Sequence, residues 1–286
     1  MVNVNYGFDR INKSINVWHK EFIGPFNMIS THYHDAYEIY YVVEGERYYF
    51  IKDRTYHLKK GDLVLINISE LHRTIDAGVP RHERILINFK KDFISSFLPE
   101  IKDIDIMSSF QQQTSLLKFN LSQQSMVKDI LFRIVNESKN KLKGSETLMK
   151  LLLIELLLLI RRQIEKQSVI YSEYPNPTYK KISEIAIYIN NNFMEKISLN
   201  SLSNNFFISP YYLSRSFKEV TGFNFSEYLN NVRAKEARRL LIETKSNITE
   251  ISEKVGFEST THFGRVFKSI TGFSPLNFRK FSSQNL

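Results

Sequence analysis

One helical pattern occurs twice near the C-terminal end of the chain, and this repeat constrains the fold more than any other sequence feature. The apolar positions Leu213 and Phe217 and the following Gly222 recur fifty residues later. The matching positions are Leu213, Arg215, Phe217, Lys218, Thr221, Gly222 and Phe223 in the first copy, and Phe263, Arg265, Phe267, Lys268, Thr271, Gly272 and Phe273 in the second. A pattern that recurs in this detail indicates a duplicated structural module.

Each copy carries the signals of two short helices joined by a turn. Ser209 and Ser259 stand where the second helix of each copy begins, and a serine hydroxyl there can accept from free backbone N–H groups. Pro210 follows at the first helical position, where its missing N–H has no cost. Gly222 and Gly272 stand where these helices must end. The sequence therefore predicts two helix-turn-helix motifs.

The second helix of each motif has one apolar face and one polar face. Leu213 and Phe217, four residues apart, predict the buried face in the first copy, as do Phe263 and Phe267 in the second. The opposite face is predicted to contact DNA through Tyr211, Ser214, Arg215, Lys218, Thr260, Thr261, Arg265 and Lys268. An arginine can grip the O6 and N7 of guanine with two hydrogen bonds, which a point-charge lysine cannot easily do. We therefore expect the two arginines to read bases and the two lysines to hold phosphates.

These residues resemble the DNA-binding domain of the AraC-type (AraC/XylS) transcription regulators. The resemblance rests on a pattern of two motifs joined by a long helix and on the residues Val255, Gly256, Phe257, Phe263, Phe267, Lys268, Gly272, Pro275, Phe278 and Arg279. Two departures are the serines Ser203 and Ser252, where the family usually has alanine, and His262, where tyrosine is common. The joining helix, about Phe225 to Glu243, spans roughly 28 Å at 1.5 Å per residue. That length predicts that one subunit can enter two successive major-groove segments.

Charge and composition agree with a polyanionic partner for the C-terminal part. From Thr178 onward the chain has 15 basic and 9 acidic residues, which is 15 − 9 = +6 of a total net charge of +9. This asymmetry favours double-stranded DNA as the partner. The chain has no cysteine, which excludes disulfides and thiolate metal sites and fits a reducing cytosol. Its N-terminus lacks the pattern of a signal peptide, so a cytoplasmic protein without a membrane role is predicted.

The N-terminal part changes to the period of short strands. Predicted strands cover Tyr37–Val43, Arg47–Ile51, Leu63–Ile66 and Ile85–Phe89, separated by glycine-containing turns. The spacing of His32, His34, Glu38 and Gly45 resembles the first motif of the cupin barrels. Gly61 and His72 match part of the second motif, in which Asn67 and Ser69 replace the usual proline and glycine. The predicted fold class is α+β, with an N-terminal cupin-like β-barrel, a helical pairing segment and a C-terminal all-α domain containing two helix-turn-helix motifs.

The barrel is the predicted binding site of a small effector, for which a sugar is one candidate. Aromatic rings on alternate strand positions can stack on such a ligand, and polar groups can orient it. The predicted ligand-binding residues are His32, His34, Glu38, Tyr40, Arg47 and His72. Three histidines and one glutamate are also a plausible set for a first-row divalent metal. Because the second cupin motif is degraded, no bound metal, no other cofactor and no catalytic residue is predicted.

Two helical segments follow the strands. Met126, Val127, Ile130, Leu131 and Ile134 recur at helical spacing and predict one apolar stripe. The segment Leu148–Ile160 is apolar almost all round and too short to span a bilayer, so it should be buried on two sides. We expect one side to pair two subunits into a homodimer, with Leu152 and Leu156 as test positions. The alternative is a helix buried within a monomer core.

The segment from Ser168 to Thr178 shows neither period and contains Pro175 and Pro177, which indicates a domain boundary. The predicted domains are a sensing barrel (1–120), a dimerisation segment (121–167), a linker (168–177) and a DNA-binding domain (178–286). The predicted function is sequence-specific transcription regulation in response to a small ligand, with RNA polymerase as a possible further partner. Two alternatives stay open: a metal-binding cupin enzyme fused to a DNA-binding domain, and a ligand-independent regulator.

Overall fold

The computed structural model describes residues 8–9, 14–24, 33–112, 114–166, 174 and 176–284. The chain divides into two compact units, and the main boundary between them lies between residues 175 and 176. The strands are β1 (Phe8–Asp9), β2 (Ile15–Ile23), β3 (Tyr33–His34), β4 (Tyr37–Glu44), β5 (Glu46–Ile51), β6 (Arg54–Lys59), β7 (Leu63–Ile66), β8 (His72–Asp76), β9 (Arg81–Phe89) and β10 (Leu116–Leu117). The helices are α1 (Leu121–Asn140), α2 (Ser145–Lys166), α3 (Pro177–Asn192), α4 (Leu199–Phe206), α5 (Pro210–Thr221), α6 (Phe225–Glu243), α7 (Ile248–Lys254), α8 (Thr260–Thr271) and α9 (Pro275–Gln284).

The N-terminal unit contains two antiparallel sheets that pack face to face. One has the strand order β10-β7-β4-β9-β2 and the other the order β6-β5-β8. Side chains alternate along each strand, so Tyr40 and Val42 of β4 pack against Tyr49 and Ile51 of β5 in the core between the sheets. The predicted cupin-like fold class is confirmed. In the described residues the expected barrel is formed by two facing sheets and not by one closed sheet.

Helices α1 and α2 cover the outer face of the five-stranded sheet. Ile39 and Tyr41 of β4 point to this side and share a core with Ile130 of α1 and Leu153 of α2. The four predicted strands are present: β7 has the predicted bounds, β4 and β5 are each one residue longer, and β9 begins four residues earlier, at Arg81. Strands β2, β6 and β8 were not predicted, because their alternation mixes charged and apolar residues and gives only a weak signal in sequence. The two-residue strands β1, β3 and β10 were not predicted either.

The apolar helix α2 buries more of its surface within its own unit than the sequence pattern suggested. Leu152 and Leu156, the positions expected to pair two subunits, are only 2% and 0% exposed and belong to the core shared with the sheet. Choosing these two leucines for a subunit interface was therefore wrong. The apolar residue of α2 with the greatest exposure is Leu151, at 48%.

The C-terminal unit consists of helices α3 to α9. The joining helix α6 has the predicted bounds, Phe225 to Glu243. Its buried residues Ala234, Ala237 and Leu241 share a core with the second motif, formed by α7 and α8. On α3, Ile182, Ile185 and Ile189 are fully buried.

Candidate functional sites

The two recognition helices, α5 and α8, begin and end in the same way. Ser209 accepts a hydrogen bond from the backbone N–H of Tyr212, and Ser259 accepts one from that of His262. Both helices end at a glycine with positive φ, 81° at Gly222 and 79° at Gly272. The caps predicted from the sequence are therefore confirmed, and they give the two helices equal lengths of 12 residues.

The predicted DNA-contacting side chains lie on the solvent side of these helices. Arg215 and Arg265 are each the sixth residue of their helix, opposite the buried Phe217 and Phe267. Thr260 is partly exposed, and the other predicted residues are exposed, namely Tyr211, Ser214, Arg215, Lys218, Thr261, Arg265 and Lys268. An exposed polar face between the N-terminal cap and the glycine end can enter a major groove without disturbing the core.

Two other arginines of the C-terminal unit, Arg233 and Arg279, have structural roles. The guanidinium of Arg233 on α6 donates to the carbonyl oxygens of Phe193 (2.8 Å) and Glu195 (2.9 Å). Arg279 on α9 donates to those of Leu241 (3.3 Å) and Ser246 (2.6 Å). These contacts join the ends of helices and intervening turns, so the two arginines are held away from a role in base recognition.

In the N-terminal unit, three predicted ligand residues form one buried polar cluster between the sheets. Nε2 of His34 lies 3.0 Å from Oε2 of Glu38, and its Nδ1 lies 2.9 Å from the carbonyl oxygen of Ala36. His72 places its Nε2 3.9 Å from the same carboxylate oxygen. The hydroxyl of Tyr49 donates to Oε1 of Glu38 at 2.8 Å. Tyr49 was not among the predicted site residues, although its inward position on β5 follows from strand alternation.

The pKa values of the two histidines of this cluster are shifted in opposite directions. Burial lowers the pKa of His34, but the hydrogen bond to Glu38 and the charge of that carboxylate outweigh burial and leave the pKa above its ordinary value. For His72, burial dominates the attraction of Glu38 and lowers the pKa to about 4. The carboxylate of Glu38 thus favours the protonated form of His34, whereas burial favours the neutral form of His72.

The chemistry of this cluster is also compatible with a metal ion. One ligand atom from each of His34, Glu38 and His72 lies within 4.8 Å of the others, and all three side chains are buried. Nδ1 of His72 lies 2.8 Å from the carbonyl oxygen of Glu70, an arrangement that directs Nε2 of a histidine towards a metal. These three residues would hold a divalent ion if one bound. The absence of a metal stays a prediction.

The remaining predicted ligand residues lie near this cluster, except for one outside the described residues. Tyr40 is fully buried, with its ring centroid 5.1 Å from that of Tyr49. Arg47 is 1% exposed, and its Nη1 lies 3.2 Å from Oδ1 of Asp76. His32 falls outside the described part of the chain. Sequence reasoning missed Arg84, whose guanidinium carbon lies 5.3 Å from the centre of the Tyr40 ring.

Comparison with known proteins agrees with this division of sites. The family model of an AraC-like ligand binding domain matches residues 26–157, and that of a helix-turn-helix domain matches residues 202–280. The HTH-type transcriptional regulator YfiF of Bacillus subtilis is 30% identical over 257 residues, which cover 87% of this chain and 78% of YfiF. The transcriptional activator RhaS of Pectobacterium carotovorum is 23% identical over 261 residues, 89% of each chain. A crystal structure of ToxT from Vibrio cholerae covers 95% of this chain and 99% of its own, with 15% identity and a TM-score of 0.42.

The fold and the two sites define a transcription regulator with an N-terminal ligand-binding domain and a C-terminal helix-turn-helix DNA-binding domain. The chain belongs to the AraC/XylS family. The predicted family, fold class and regulatory function are therefore confirmed. In the described part of the chain, no helix is both long and apolar enough to cross a membrane.

Proposed function

We propose that this regulator reads two successive major-groove segments of double-stranded DNA through α5 and α8. The observation that carries this proposal is the equivalence of the two motifs: Arg215 and Arg265 occupy the same helical position behind the same serine cap. In this proposal the arginines contact base edges. Lys218 and Lys268 lie nearly one turn further on and contact phosphates.

The effector binds between the two sheets of the N-terminal unit. His34, Glu38 and His72 lie at one part of this inter-sheet region, and Tyr40 and Arg47 line the part beside it. Buried polar groups of this density are costly unless they are paired, so they favour a binding site over a simple packing core. Both oxygens of Glu38 already accept hydrogen bonds, from His34 and Tyr49. These hydrogen bonds support an effector site without a metal. The alternative is a metal-binding cupin enzyme fused to the DNA-binding domain.

The protein acts in the cytoplasm as a homodimer that pairs through the outer side of α2. Leu151 is 48% exposed there, and Leu148 and Leu158, which are partly buried against the core, lie three residues before it and seven after it. A second copy of this helix is the simplest cover for such a stripe. Effector binding would then change how the paired DNA-binding domains are presented, and with them access of RNA polymerase. In this proposal, residues 1–120 sense the effector, residues 121–167 form the dimer, residues 168–177 are a linker and residues 178–286 bind DNA.

The experiment that tests the proposed function is selection of bound fragments from the source genome with the purified full-length protein. We expect enriched fragments that share paired sites, each with two recognised segments about one helical turn apart. Adding extracts of small molecules should change the affinity for these fragments. Enrichment without any shared sequence would contradict sequence-specific regulation. Shared sites whose affinity no extract changes would favour the ligand-independent alternative.

A further inference from the structure

A group of basic side chains lies on the inter-sheet face of β2 and β9. Lys20 of β2 is directly opposite Arg84 of β9 in the antiparallel register, so both side chains project from the same face of the sheet. Like charges placed directly opposite each other destabilise a strand pair. Neither residue forms an ion pair within the described part of the chain. Lys20 is exposed and Arg84 is partly buried, so an anion at the solvent edge of this pair could contact both.

The guanidinium of Arg84 is held by aromatic rings. Its central carbon lies 5.4 Å from the centre of the Phe22 ring and 5.3 Å from that of Tyr40. Aromatic faces attract a guanidinium but accept none of its in-plane N–H donors strongly. The Nε atom of Arg84 is buried and has no hydrogen-bond partner among the described residues. A buried donor of this kind calls for an acceptor, and a bound ligand can supply one.

The surroundings of Arg84 add positive charge. Arg47, which is 1% exposed, lies close enough that each guanidinium affects the same neighbours, Tyr40 and His82. His82 stacks on Phe22 with ring centroids 4.6 Å apart and an interplanar angle of 4°. The carboxylate that pairs with Arg47 is Asp76, at 3.2 Å.

The neighbouring carboxylate, Glu38, is already engaged by His34 and Tyr49. Arg47 and Arg84 therefore place two guanidinium groups near the same neighbours, with the exposed Lys20 beside Arg84 in the register. An anion bound beside Arg84 would balance its charge.

We infer that this site binds the anionic group of a small effector, a carboxylate or a phosphate, with Arg84 as its principal contact. Arginine recognises both groups through two parallel N–H···O bonds in the plane of the guanidinium. The rings of Phe22 and Tyr40 contact the guanidinium, and Arg47 and the exposed Lys20 add positive charge to the region. This inference rests on the proposed function, because it assigns a chemical class to the effector that binds between the sheets.

The test uses the full-length protein and two anions, inorganic phosphate and acetate, each titrated against chloride at constant ionic strength. Thermal unfolding is measured for the native protein, Arg84→Met and Arg84→Lys. Arg81→Met is the matched control, because Arg81 is on the same strand, 55% exposed and paired with Glu21 at 2.6 Å. The comparison of phosphate with acetate reports which anionic group the site prefers.

We expect saturable stabilisation of the native protein and of Arg81→Met by at least one of the two anions. Arg84→Met should raise the apparent dissociation constant by about tenfold or more, and Arg84→Lys should retain part of the response. In chloride alone, Arg84→Met should unfold at the native temperature or above it, since an unbalanced charge has been removed. An equal anion response in the native protein and Arg84→Met would overturn the inference.

A separate measurement distinguishes this inference from the proposed function. If uncharged molecules from cell extract bind the native protein and Arg84→Met equally and alter DNA affinity, the inter-sheet effector site stands and its anionic character is wrong. If phosphate or acetate binds through Arg84 but no extract alters DNA affinity, the anion site stands and its regulatory role fails.

Discussion

The hydroxyl of Thr271 donates to the carbonyl oxygen of Phe267 at 2.8 Å, one turn before the end of the second recognition helix. Thr221 makes the same bond to Phe217 at 2.7 Å in the first. In both copies the threonine oxygen also accepts from the backbone N–H two residues further on. The duplicated motif therefore extends to the way each helix ends, and the same local bonds join both recognition helices to the turn that follows.

Two buried serines should weaken the C-terminal domain. Ser203 and Ser252 are 3% and 1% exposed, and their hydroxyls have no hydrogen-bond partner among the described residues. Because a buried unsatisfied hydroxyl is costly, Ser203→Ala and Ser252→Ala should each raise the free energy of unfolding by up to about 1 kcal/mol. Urea unfolding measures this, with Ser209→Ala as the control that should lower it by about 1 kcal/mol through loss of the helix cap. A loss of stability in Ser252→Ala equal to that of the control would show that the hydroxyl is satisfied.

The proposed dimer should depend on Leu151 and not on its buried neighbours. Leu151→Glu should convert the protein into a folded monomer, as measured by sedimentation. The monomer should bind paired DNA sites more weakly than the native dimer. Leu142→Glu, at a 67% exposed leucine outside α2, is the matched control and should leave the dimer intact. Leu152→Ala should instead destabilise the N-terminal domain by about 2–5 kcal/mol, because it opens a cavity in the core. A native protein that sediments as a monomer at all concentrations would refute the dimer.

The sequence predicted the C-terminal domain better than the N-terminal one. Helix periodicity, the caps at Ser209 and Ser259 and the ends at Gly222 and Gly272 are local signals, and each corresponds to one contact within a few residues. The turn of the second motif also depends on a distant contact: Gly256 has φ 86°, and a Cβ there would lie 2.6 Å from the carbonyl oxygen of Met194. Glycine is therefore required at that position.

The N-terminal site depends on pairings that the sequence does not show. Tyr49 reaches Glu38 because β5 and β4 belong to different sheets that face each other, and Arg84 opposes Lys20 through a register of distant strands. For α2, an almost continuous apolar composition does not reveal which side meets its own sheet. This is why Leu152 and Leu156 were assigned to the wrong surface. Ser69, in place of the usual cupin glycine, still adopts a φ of 62°.

The purified protein should hold no stoichiometric metal at the cluster of His34, Glu38 and His72. The reason is that both oxygens of Glu38 are already hydrogen-bonded and the second cupin motif is degraded at Asn67 and Ser69. Elemental analysis of untagged protein, purified without chelators, measures the metal content. His34→Ala is the control for specificity. One tightly held metal per chain that is lost in His34→Ala would contradict this prediction and favour the enzyme reading.

Acid should weaken the N-terminal domain partly through His82. Burial first, and then the charges of Arg47 and Arg84, lower the pKa of His82 to about 4. An exposed histidine in the unfolded chain titrates near about 6.5, so between these values the unfolded state binds a proton that the folded state does not. The free energy of unfolding should fall as the pH drops through this window. In His82→Asn it should fall by less than in the native protein. Urea unfolding followed by the single tryptophan, Trp18, measures the difference. Equal pH dependence in both proteins would contradict the shift.

The central claim is that both recognition helices read DNA in one complex, and affinity measurements on genome-selected fragments test it most directly. Fluorescence anisotropy at several salt concentrations compares the native protein with Arg215→Ala, Arg265→Ala, Lys218→Ala and Lys268→Ala on a panel of site variants. Each arginine change should cost about 1–3 kcal/mol and relax the preference at one base pair. The two affected base pairs should lie about one helical turn apart. Each lysine change should weaken all sequences alike and reduce the salt slope by about one. If Arg265→Ala weakens every variant equally while Lys268→Ala changes the preferred base, or if either arginine change leaves affinity intact, the account is contradicted.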